Sequence, residues 1–238
     1  MACTSTTRPR LSGRRLPRRF LQLMVGLTLY GVSVALLVRA GLGTMPWSVL
    51  EVGIAERLDR DLGVVIVAVS FIVLLLWIPL RQRVGIGTLA NSLWVGPAAG
   101  VTLAKVPTMH DLVPQVGLLL LGIVLNGLAT AMYIGTRLGP GPRDGLMTGL
   151  HARTGRSLRL IRTGIEVTVV AVGILLGGVA GIGTVLYALA IGPIVQLFLP
   201  RFTVAETAGS SRDSIRRSNP SEESGLPAGQ NRSSTVPG

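Results

Sequence analysis

The sequence predicts an all-α polytopic membrane protein, with about six transmembrane helices arranged as two inverted three-span repeats. Three observations predict it. First, 48% of the residues are hydrophobic and only 14% charged, with a mean hydropathy of +0.57, outside the range of ordinary soluble domains. Second, six apolar runs approach the roughly 20 residues that a bilayer core of about 30 Å requires at about 1.5 Å per helical residue. They cover residues 20–40, 62–80, 85–105, 115–136, 158–177 and 181–199. Third, the two halves match without a gap at one offset (138 − 42 = 96).

At that offset Leu42 meets Leu138, Gly85 meets Gly181 and Pro97 meets Pro193. Gly26, Gly31, Gly43, Pro46, Leu50, Gly53, Arg57, Arg60, Leu62, Leu93 and Gly96 find identical partners, as does the run from Gly85 to Thr88. Apolar composition alone yields chance leucine and valine matches. It does not place glycines, prolines and arginines in one register. Three spans are an odd number, so the second copy enters the membrane from the opposite side, the inverted-repeat construction of many secondary transporters.

In chain order, residues 1–19 form a basic arm, RPRLSGRRLPRR among them. Arg18 and Arg19 ahead of the first apolar run look loosely like an export signal. No small-x-small cleavage site precedes Gly41, so the run is expected to be an uncleaved first span. Residues 20–105 hold the first repeat and 106–200 the second. The turns RQRVG and GGVAG are so short that spans two and three, and five and six, are expected as helical hairpins. Beyond residue 200 the chain is rich in Ser, Pro, Gly and charge, the composition of a disordered tail.

The net charge of +12 does not indicate nucleic acid, because the arginines sit in the arm, loops and tail rather than along one aromatic-interleaved face. They fit the positive-inside pattern instead. The arm, Arg81 and Arg83, the block from Arg137 to Arg162, and Arg201 onward fall on one side of a six-span arrangement, which places both termini in the cytoplasm. Arg57 and Arg60 are exceptions, diluted by Glu51, Glu56, Asp59 and Asp61. Cys3 is the single cysteine and there are two histidines, which gives no disulfide and no metal constellation. No hydrolase elbow, P-loop or dinucleotide fingerprint is present, so neither an enzymatic activity nor a cofactor is expected.

Two helix breaks stand one repeat apart, LGTMPWSVLEVGI from Leu42 and LGPGPRDGLMTGL from Leu138. Pro46 and Pro142 suit a first helical turn, and each following stretch of about a dozen residues, about 18 Å as helix, is too short to span. Such pieces are either re-entrant half-helices presenting free N–H groups to an anion or amphipathic helices at the membrane interface. Arg143 and Asp144 either pair locally or serve substrate. The GIGT turns at Gly85 and Gly181 place Thr88 and Thr184 to cap the next helix, and Pro97 and Pro193 break helix hydrogen bonding within a span. Glu166 falls about 12 Å along the fifth span, where a charge costs at least about 2.5 kcal/mol. It should therefore face the bundle interior, with Arg162 one turn earlier as partner. Asn91 and Asn126 either line the same interior space or bond neighbouring helices.

The segments LGTMPWSVLEVGIAERL, LLLWIPLRQRVGIGTL, YIGTRLGPGPRDGLMTGLHARTGRSLRLIRTGIEVTV and GIGTVLYALAIGPIVQ together resemble the YczE/YitT-type bacterial integral membrane proteins, most closely the YczE branch. The resemblance covers roughly residues 20 to 200. It implies a multi-pass protein of the bacterial cytoplasmic membrane, usually described with about five spans, and no established substrate. It also implies an aspartate after Pro-Trp in the first half, where this chain has Ser48, leaving Asp144 and Glu166 as acidic candidates. The function expected is passage of a small solute between the repeats, using Asp144, Arg143 and Glu166. The alternative is a non-transporting membrane protein that assists assembly, export or regulation of a partner. The lipid bilayer, an unknown small solute and a second copy of the chain are the partners expected.

Overall fold

The computed structural model describes residues 16–203. Most of the basic arm and nearly all of the tail, including its expected disorder, lie outside the described residues. Within them the chain forms eight helices: α1 (Leu16–Ala40), α2 (Pro46–Leu58), α3 (Leu62–Leu80), α4 (Ile86–Lys105), α5 (Leu112–Gly135), α6 (Pro142–Thr154), α7 (Leu158–Leu175) and α8 (Ile182–Phe202). The short helices α2 and α6 begin at the expected prolines, each at a first helical position where its missing N–H removes no bond.

Four helices, α1, α3, α5 and α8, are long and apolar enough to cross a membrane, so the protein is multi-pass. The six apolar runs all become helices, but α4 and α7 are more polar than the spans expected of them. Helix α4 carries Thr88, Asn91, Ser92 and Thr102, and α7 carries Arg159, Arg162 and Glu166. These side chains interrupt the apolar stretch because several of them face the bundle interior.

The centre of the bundle is α1 against α5. Gly26 lies against Met132, Ser33 accepts a 2.8 Å hydrogen bond from Asn126 Nδ2, and Gly122 lies against Leu37. The two helices therefore run antiparallel. In lipid, where tails are as apolar as leucine, association rests on close packing and interhelical hydrogen bonds. The glycines serve that purpose, since a methyl on Gly26 would come 3.1 Å from Met132 Cβ. Helix α4 runs parallel to α1, tied by Trp94 Nε1 to Thr28 Oγ1 at 2.9 Å and by Arg39 Nη2 to the Leu103 carbonyl at 2.6 Å. Helix α8 runs parallel to α5, with the Tyr187 hydroxyl donating to Asn126 Oδ1 at 2.8 Å.

The halves also exchange backbone bonds. Gly87 N–H donates to the Leu138 carbonyl at 3.0 Å, and Gly183 N–H to the Leu42 carbonyl at 2.8 Å. Gly43, at φ +107°, lies so close to Gly181 that a side chain there would strike backbone at 2.6 Å. Thr88 and Thr184 accept from the N–H of Gly85 and Gly181, each at 3.3 Å, capping α4 and α8. Pro97 and Pro193 lie inside those helices.

One expected hairpin is absent. Helices α3 and α4 pack closely, but α7 packs on α2 and scarcely touches α8. The two seams differ at one pair of positions. Gly63 and Gly96 bring α3 and α4 into backbone contact, whereas the residues 96 further on are Arg159 and Gly192, and nothing lies within 4 Å of a methyl built on Gly192. An arginine cannot serve as the flat face that a glycine provides.

Candidate functional site

A cavity of about 290 Å³ lies where the starts of α2 and α6 approach one another, bordered by Pro46 and Trp47 on one side and Pro142, Arg143 and Asp144 on the other. Helix α2 is buried along most of its length, including Pro46, Ser48, Val49 and Glu51. That burial leaves α2 little surface to present to lipid headgroups.

Glu51 is fully buried, and its carboxylate forms an ion pair with the Arg143 guanidinium. Ser48 Oγ donates to the other Glu51 oxygen at 3.3 Å. The Arg143 guanidinium also lies 5.1 Å from the centre of the Trp47 ring, a cation–π distance, and points a nitrogen at Met45 Sδ, 3.8 Å away. A buried carboxylate is tolerated when a cation and hydrogen bonds replace water, and Arg143, Ser48 and the aromatic face together do so. This pair joins the first half of the chain to the second.

Asp144, the third residue of α6, accepts a 2.5 Å hydrogen bond from the Tyr133 hydroxyl. Its place in the first turn also suits the positive end of its own helix. Asn91 reaches the same corner: a methyl on Gly141 would meet Asp144 Oδ2 at 3.2 Å, the Tyr133 hydroxyl at 3.3 Å and Asn91 Nδ2 at 3.7 Å. Across the cavity, Arg162 Nε donates to Glu166 Oε1 at 2.9 Å, an i,i+4 pair with 55% and 26% of the two side chains exposed. That exposure makes it a wall of the cavity rather than a stability element. Tyr30 and Tyr133 meet edge to face at 6.2 Å, and with Tyr187 all three tyrosines of the chain line this one space.

The structure thus brings together Arg143, Asp144, Arg162, Glu166 and Asn91 of the residues singled out from sequence, with Pro46 and Pro142 beside them. Ser48 lies one layer behind, on Glu51. Asn126 is fully buried among α1, α5 and α8 and bonds helices together. Gly85 and Gly181 are caps, and Pro97 and Pro193 do not border the cavity. Sequence reasoning missed Glu51, Trp47 and the tyrosines. By charge alone Glu51 reads as one of several acids diluting Arg57 and Arg60. The available signal was its position between Leu50 and Val52, in an apolar stretch without a neighbouring base.

A second, apolar groove of about 970 Å³ runs between α3 and α7, bounded by Trp47, Leu50, Val73, Leu146 and Val169, with Arg156 at its rim. It has few polar groups with which to orient a polar solute. The ionisable chemistry belongs to the first cavity.

No solved structure matches the chain. An uncharacterized protein of Haemophilus influenzae is 41% identical over 177 residues, covering 74% of this chain and 81% of its own length. The uncharacterized membrane protein YczE of Bacillus subtilis is 29% identical over 173 residues, covering 72% and 80%. The uncharacterized protein YyaS of the same organism is 26% identical over 180 residues, covering 74% and 90%. The model of a family of unknown function, DUF6198, matches residues 17–200, all eight helices but for the outermost residues of the first and last. The chain is therefore an integral membrane protein homologous to YczE, and it belongs to the DUF6198 family.

Proposed function

We propose that the protein carries a small solute across the bacterial cytoplasmic membrane through the cavity between two inverted three-span halves, with both termini in the cytoplasm. The observation that carries this is the meeting of two short-helix starts and four ionisable side chains, Arg143, Asp144, Arg162 and Glu166, at one cavity within a bundle of apolar helices. Half-helix starts and intramembrane charges are the means by which transporter folds hold polar solutes. Inversion is supported by the antiparallel course of α1 and α5, the first helix of each half. It is supported further by the reciprocal bonds of Gly87 to Leu138 and Gly183 to Leu42, whose positions correspond at the 96-residue offset.

In this proposal Glu166, partly exposed on the cavity wall and released from Arg162 by protonation, couples passage to a proton. No bond is made or broken, so no catalytic residue is assigned. Reconstituted vesicles, offered a solute panel with and without a proton gradient, test it. Gradient-driven uptake should appear with the native chain and disappear in Glu166→Gln. Uptake unchanged in that variant refutes the coupling role. Absence of flux for every solute, together with capture of one stoichiometric partner, favours assistance to a partner protein instead.

A further inference from the structure

The two helix starts at the cavity differ in charge, and that difference selects a class of solute. Helix α6 has Asp144 in its first turn, whereas α2 has no acid in its first turn and no side-chain cap. The indole N–H of Trp47, second residue of α2, is buried without a hydrogen-bond partner, and the Trp47 side chain stands between this cavity and the apolar groove. An unpartnered buried donor beside an uncapped helix start calls for an acceptor, and a negative one is favoured by the helix dipole.

The opposite requirement holds across the cavity. Arg143 and Glu51 neutralise one another, as do Arg162 and Glu166. Asp144 is left with the Tyr133 hydroxyl, and no basic side chain lies within ion-pair distance of it among the described residues. A half-buried carboxylate without a cationic partner favours a cation, and the three tyrosines that line the cavity give an ammonium aromatic neighbours. The volume of about 290 Å³ stands at the lower end of small-molecule pockets, which limits the solute to a few heavy atoms beyond its charged ends.

We propose that this cavity binds a small zwitterion of the α-amino-acid kind, with its ammonium on Asp144 and its carboxylate at the start of α2 beside the Trp47 indole. The proposal rests on the transport assignment for its setting but concerns equilibrium binding, which is measured separately. A plain monocation leaves the Trp47 donor unpaired, and a plain carboxylate meets the charge of Asp144.

Isothermal titration of the purified full chain in detergent micelles with L-alanine, ethylamine and propionate tests this directly. L-alanine should bind saturably, and the two fragments about tenfold or more weaker. Asp144→Asn should weaken L-alanine binding by about tenfold or more. Should that variant not fold, Trp47→Phe, which keeps the ring beside Arg143 but removes the donor, should bring L-alanine down to the level of ethylamine. Ethylamine or propionate binding as tightly as L-alanine overturns the proposal, as does failure of glycine, L-alanine and L-serine alike to bind. Binding without flux in vesicles overturns transport and leaves the zwitterion site standing. Flux of a solute lacking either charged end does the reverse.

Discussion

Glu51 and Arg143 form the contact on which the site's geometry depends. Replacing Glu51 by Gln strands a guanidinium that is largely buried, and breaking such a pair from one side costs about 3–5 kcal/mol. Thermal unfolding in detergent should show that loss as a lower Tm, whereas the double variant Glu51→Gln with Arg143→Gln should recover most of it. A double variant as unstable as the single would show that the pair has no special role. Only part of this contact was legible in the sequence. Arg143 announced itself within GPGPRDG, but its partner lies 92 residues away in the chain, beyond the reach of any local spacing rule. The missing aspartate at Ser48 also misled, because the first half does carry a buried acid, displaced by three residues to Glu51 on the same helix face. Arg162 and Glu166, one turn apart on α7, needed only helical periodicity to be paired.

At the scale of elements, the glycines that correspond between the halves have unequal surroundings. Gly96 lies against the Gly63 carbonyl and Val67, whereas Gly192 faces open space. Gly96→Ala should therefore loosen α3 from α4 and lower the Tm. Gly192→Ala should be neutral or stabilising by up to about 1 kcal/mol, since alanine favours helix over glycine. Equal effects from the two would contradict the unequal packing. The helices themselves could be read from the sequence because apolar length and the Gly/Pro starts are local properties. The pairing of α7 with α2 instead of α8 could not, although Arg159 stands where the first half has Gly63. A short turn brings helix ends together; only small facing residues bring helix sides together.

For the whole molecule, inversion makes a sharp forecast. Arg83 and Val179 correspond at the 96-residue offset and are both exposed at helix-joining turns. In chains with Cys3→Ser, a membrane-impermeant thiol reagent applied to intact cells should label Val179→Cys and spare Arg83→Cys. Labelling of both, or of neither except after lysis, would place the halves in the same orientation and remove the basis of the proposed architecture. Glycines that correspond at this offset do make corresponding contacts: Gly31 against Ala98 and Val95 in one half, Gly127 against Ile194 and Ile191 in the other. The charge pattern inside the cavity was less legible, because the 96-residue match fails at its charged residues. Trp47 corresponds to Arg143, Ser48 to Asp144 and Ser70 to Glu166.

The loose seam between α7 and α8 has an energetic meaning. Two identical halves that traded packings would have inward- and outward-facing forms of equal free energy, related by symmetry alone. Arg159 in place of a glycine removes that degeneracy: one seam is closed by glycine contacts and its counterpart has none. In the proposed carrier one form is then favoured at rest, and solute or proton binding supplies the bias that populates the other.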